Sequence, residues 1–176
     1  SNTKQTKEFA EKAVKLIFDN LVTAYQDGSN FTARENMLKG SYYAGAAFTR
    51  AYVGYVHAIA HTLGGFYHTP HGLANSVILP HILDFFGSSI YKRLAKLADI
   101  VGIQGENDEV KAKAFIQAIK DMNKTMNIPE KFVDVIKEED IPQMVDRAYA
   151  EAHPLYPVPK FMNKTQLADM FRELMA

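Results

Sequence analysis

Residues 44–81 read AGAAFTRAYVGYVHAIAHTLGGFYHTPHGLANSVILPH, and this stretch sets the fold class. Tyr52, Val53, Val56, Ile59, Ala60 and Leu63 surround residues 51–63 with apolar side chains. A helix that is apolar on most sides is a buried one. Gly64-Gly65 is expected to end it, because glycine favours the left-handed terminating position. Residues 66–72 then form a loop containing Pro70. Residues 72–85 return to a strongly apolar helix, with Pro80 as a kink or break. Just upstream, Ser41, Ala44, Gly45, Ala46 and Ala47 are small enough for another backbone to approach closely.

The flanks carry the same helical period. Phe9, Ala13, Leu16, Ile17, Leu21 and Ala24 recur at three and four, so residues 3–25 form an amphipathic helix. Gln26-Asp27-Gly28-Ser29-Asn30 is a loop by its turn chemistry. Thr32 with Glu35 three residues later reads as a capping box for a helix running to about Phe48. Further helices are expected at 88–101, 107–126, 130–136, 139–151 and 164–175. Pro142 falls in the first turn of the 139–151 helix, a position proline favours. Residues 152–162, AHPLYPVPKFM, hold three of the seven prolines and cannot be a regular helix. No alternating run reads as a strand. The fold class is all-α, with residues 1–176 forming one helical unit.

Composition narrows the function classes. Twenty basic and twenty acidic residues cancel, so neither nucleic acid nor an anionic membrane is an expected partner. The chain has no cysteine, which removes disulfides, thiolate metal sites and a Cys nucleophile together. That fits a reducing, cytoplasmic setting. The polar start SNTKQTKEFAEK has no signal-peptide pattern. The chain begins at Ser1 without Met, so either something was removed or it is a piece of a longer polypeptide.

Five of the six histidines lie within 25 residues. His57 and His61 stand at i and i+4, on one face of the helix. His71 opens the next element. Two imidazoles from one helix and a third from the adjacent loop are therefore expected to converge. A lone histidine on a helix is more often a hydrogen-bonded core or surface residue than a metal ligand. Here the flanks are apolar, and burying imidazoles without partners costs ~1–3 kcal/mol each. Metal, ligand or dedicated acceptors should satisfy them. A zinc protease needs H-E-x-x-H, but position 58 is Ala, so the general base is missing. What remains for a metal is Lewis-acid work on a bound oxygen.

The pattern G-x-x-H-A-x-A-H-x-x-G-G-x-x-x-x-P-H-G, Gly54 to Gly72, resembles the signature of the iron-containing (group III) alcohol dehydrogenases. AGAAFTRA upstream, GLANSVILPHIL downstream and EDIPQMVDRAYAEAHPLYPVP near the end are similar to that family's flanking segments. The resemblance implies the C-terminal helical domain of an iron-type alcohol dehydrogenase or dehydroquinate synthase-like fold. It implies His57 and His71 as metal ligands for Fe²⁺ or Zn²⁺. It places His61 beside substrate and nicotinamide, as proton relay or positioning group. It makes Phe48, nine residues before His57, a substrate-lining aromatic, with Tyr149 a further lining candidate. The implied reaction is metal-assisted hydride transfer between NAD or NADP and an alcohol, aldehyde or ketone. Three further histidines carry lesser expectations: His68 as a loop residue, His81 as a supporting donor or core group, and His153 at the pocket rim.

Two parts of the family pattern are absent from this sequence. It has no Gly-rich α/β unit for a dinucleotide. It also lacks the D-x-x-x-H pair that supplies the family's other two ligands. The expectation is therefore a C-terminal fragment, inactive by itself, whose partner is the N-terminal cofactor domain of a homo-oligomeric parent. The competing readings are a non-catalytic helical binding or assembly module, and a glycerol-dehydrogenase-like or lyase relative.

Overall fold

The computed structural model describes residues 3–175. Among them there are eight α-helices and no strand, which is the all-α class expected. The helices group into two compact units.

The first unit contains residues 3–52 and 90–126. Its helices are α1 (Lys4–Gln26), α2 (Phe31–Ala51), α5 (Tyr91–Val101) and α6 (Asp108–Thr125). Thr3 and Thr6 cap α1 reciprocally, each side chain meeting the other's backbone N–H. The start of α2 departs from expectation. Asn30, not Thr32, is the cap, and its side-chain oxygen accepts from the Ala33 N–H at 3.0 Å. Glu35 is instead paired with Lys39 at 2.8 Å. Helices α1 and α2 approach closely at Gly40, where a Cβ would lie 3.1 Å from Ile17 Cγ1. Gly45 faces open space. Phe18 stacks on Phe115 at 4.8 Å between ring centroids, joining α1 to α6.

The second unit contains residues 53–89 and 127–175. It holds α3 (Tyr55–Tyr67), α4 (His71–Phe86), α7 (Ile141–Ala152) and α8 (Lys164–Met175). Its core is built from Tyr55, Ile59 and Leu63 of α3, Val77, Ile78 and Ile82 of α4, and Met144, Leu167 and Phe171.

Three expectations change here. Helix α3 begins at Tyr55 rather than at residue 51, because Tyr52 turns to φ 66° and Gly54 is extended. Nor does α3 stop at Gly64-Gly65. It runs on to Tyr67, and His68 takes the left-handed position with φ 55°, its N–H bonding the Gly64 carbonyl. Thr69-Pro70 supplies the stop, since a residue before proline is excluded from the helical region. Gly65 is accommodated inside the helix with the Arg147 guanidinium 3.4 Å from where a Cβ would stand. Residues 130–136 are turns rather than a helix. Asn127 and Asp134 have positive φ, and the Phe132 N–H bonds the Leu174 carbonyl at the end of α8. By contrast, α4 continues through Pro80 to Phe86.

Candidate metal and substrate site

His57 and His61 project from one face of α3, and His71 opens α4 after the Pro70 turn. The three rings form a triangle. Centroids are 5.4 Å apart for His57–His71, 5.3 Å for His61–His71 and 5.8 Å for His57–His61.

The electrostatics of the three rings differ. Burial is the main cause holding the His57 pKa below its ordinary 6.5, reinforced by the His71 and His61 imidazoles and opposed by Glu151. His57 is therefore neutral at neutral pH. His61 bonds Glu151 Oε1 through Nδ1 at 2.7 Å, and Tyr156 donates its hydroxyl to the same oxygen at 2.8 Å. The Asn75 amide donates to the His71 carbonyl and to its Nε2, both at 2.9 Å. Asn75 Oδ1 is buried without a partner, an acceptor left over beside His71.

The donor set can be tested against a metal. An imidazole nitrogen about 2.1 Å from a divalent ion puts its ring centroid about 3.2 Å away. Two rings at roughly 90–110° around one ion then have centroids about 4.5–5.3 Å apart. His61–His71 at 5.3 Å reaches the upper edge of that range, His57–His71 at 5.4 Å lies just beyond it, and His57–His61 at 5.8 Å lies outside it. Among the described residues, no three His, Asp or Glu side chains gather into a complete metal-holding group. The histidines fit as part of a ligand set, and neutral imidazole suits iron and zinc alike.

The other candidates are placed as follows. Phe48 is on α2 of the first unit, 48% exposed. Tyr149 is in the second unit, stacked on His153 at 4.3 Å. His153 also stacks on Phe161 and lies 2.9 Å from the hydroxyl of fully buried Tyr55. That hydroxyl accepts from the Met162 N–H at 2.8 Å, so its own proton goes to His153 Nε2. His68 is an exposed helix terminator. His81 faces two acceptors, Glu173 Oε1 at 2.7 Å through Nδ1 and the Glu130 carbonyl at 3.0 Å through Nε2. It ties α4 to α8 and to the turn segment.

Glu151, Tyr156 and Asn75 were not expected from the sequence. Asn75 had a usable signal, four residues after His71 on a predicted helix. Glu151 had none, because His61 stands 90 residues away, and Tyr156 joins the group only through Glu151.

Comparison with known proteins adds to this geometry. The profile of the Fe-containing alcohol dehydrogenase family, C-terminal, matches residues 1–175. The 1,3-propanediol dehydrogenase of Citrobacter freundii is 38% identical over 174 residues, covering 96% of this chain and 44% of that protein. The NAD-dependent methanol dehydrogenase of Bacillus methanolicus is 36% identical over 152 residues, covering 85% and 40%. The crystal structure of a 1,3-propanediol oxidoreductase superimposes with a TM-score of 0.91 at 36% identity, covering 98% of this chain and 46% of that one. The chain thus spans under half the length of these relatives.

Proposed function

Because the chain belongs to the Fe-containing alcohol dehydrogenase family and forms its C-terminal helical domain, we propose that it supplies one side of the active site of an NAD(P)-dependent dehydrogenase. That enzyme interconverts small alcohols with aldehydes or ketones. The observation that carries the reading is the triangle of His57, His61 and His71.

In this reading His57 and His71 hold a divalent ion, Fe²⁺ or Zn²⁺, and the remaining ligands come from an N-terminal portion. When bound, the ion supplies Lewis-acid polarisation of the substrate oxygen. His57 contributes as a neutral imidazole, kept so chiefly by burial. His71 contributes from the first residue of α4, where the Pro70 turn fixes its approach. His61 is the proton-handling group beside substrate and nicotinamide, since histidine exchanges protons near neutral pH. Tyr149 is the lining aromatic proposed for the substrate pocket in the second unit. The dinucleotide is held mainly by the N-terminal portion. The names of the relatives support a short primary alcohol or diol as substrate.

Turnover tests this directly. The 176-residue chain with Zn²⁺ or Fe²⁺, NAD⁺ and 1,3-propanediol is expected to form no NADH. Joined behind the N-terminal portion of the Citrobacter relative, it is expected to gain activity that His57→Ala abolishes. A joined protein that binds NAD⁺ and metal yet is inert, or one unaffected by His57→Ala, contradicts the reading.

A further inference from the structure

The α7 end and the Pro-rich segment after it carry a device that the histidine motif does not contain. Glu151 closes α7 and is partly buried, with its side chain 27% exposed. Its Oε1 is the common acceptor for His61 Nδ1 and the Tyr156 hydroxyl. An ionised carboxylate only accepts, so both neighbours must donate to it. Tyr156 is dependable as a donor. Burial first, then its bond to Glu151, push its pKa up to about 12, so it keeps its proton. Backbone bonds hold Tyr156 in place, its N–H to the Ala152 carbonyl and its carbonyl to the Val158 N–H. The same segment is tied to α3 through Tyr55, which receives the Met162 N–H two residues before His57 in the helix.

From this geometry we infer that Glu151 and Tyr156 are positioning residues that fix His61 as its Nδ1–H tautomer and leave Nε2 as the basic nitrogen. Among the described residues, nothing hydrogen-bonds His61 Nε2, whereas the Nε2 atoms of His71 and His153 are both engaged. A half-exposed His–Glu pair adds little to stability. What it adds is orientation, because the nitrogen that carries the proton is set by the bond the other nitrogen makes. The inference rests on the proposed role of His61 as the group that exchanges a proton with substrate, and it names what keeps that nitrogen ready.

The test uses the chain itself with ¹⁵N-labelled histidine, reading each tautomer from long-range ¹H–¹⁵N correlations. Wild-type His61 is expected as the Nδ1–H form. Glu151→Ala is expected to move it toward the Nε2–H form. Glu151→Gln is expected to restore the wild-type pattern, because the amide oxygen still accepts from Tyr156 and His61. His153, set by Tyr55, should stay Nδ1–H throughout and report that each variant is folded. A wild-type His61 protonated on Nε2, or a Glu151→Ala protein with the wild-type pattern, overturns the inference, and the wild-type tautomer alone decides it should Glu151→Ala not fold. Loss of Zn²⁺ binding at His57 and His71 sinks the proposed metal site instead, and leaves the tautomer result standing.

Discussion

His57 is surrounded by the reasons for its own chemistry. Burial and two neighbouring imidazoles oppose its protonation, so the folded chain holds its pKa below 6.5. The unfolded chain then binds more protons than the folded one between the folded pKa and 6.5. Stability therefore rises with pH across that window and is fully present above it. In chelator-treated protein, His57 is expected to titrate below 6.5 by NMR, and His57→Gln should flatten the stability–pH profile just under pH 6.5. A ring that titrates at or above 6.5 contradicts this account. The Tyr55 hydroxyl is fully buried and joins the Met162 N–H to His153. Tyr55→Phe strands both partners, at a cost of about 1–3 kcal/mol in chemical denaturation.

Helix α3 shows how an element departs from its local signals. Gly64-Gly65 looked like a terminator, yet the left-handed residue is His68. The two positions should therefore respond in a coordinated way. Gly64→Ala places a Cβ 3.7 Å from the Thr69 carbonyl, an ordinary contact, within a helix interior. It is expected to stabilise by about 0.5–1 kcal/mol. His68→Gly relieves a left-handed non-glycine residue and is expected to stabilise by about 1 kcal/mol. A lower Tm for Gly64→Ala would mean that the glycine is needed as a cap after all. The helical periodicity of residues 3–25 and 139–151 was legible because each helix buries one continuous stripe. The cap at Asn30 and the turns at 130–136 were not. Asn30 and Thr32 are both good caps, and only the preceding Asp27–Ser29 turn favours Asn30. Ile136 and Phe132 mimic a helical stripe while being buried from a turn.

At the scale of the whole molecule, the division of labour follows from what is near in sequence. His57, His61 and His71 lie within fifteen residues of one another, so helical spacing and one turn sufficed to expect their convergence. Glu151, Tyr156 and Tyr149 reach the second unit only through α7 and its trailing loop, and no local pattern announces which side chain meets which. The family match covers nearly the whole chain but under half of each relative. The proposed reaction accordingly assigns this chain two metal ligands and one proton-handling group, with the dinucleotide held elsewhere. A calorimetric Zn²⁺ titration of the chain and three single variants measures that split. Weak binding to wild type is expected, weakened at least tenfold, about 1.4 kcal/mol, by His57→Ala and by His71→Ala, and changed less than twofold by His61→Ala. Equal binding by wild type and all three variants, or a loss confined to His61→Ala, would contradict it.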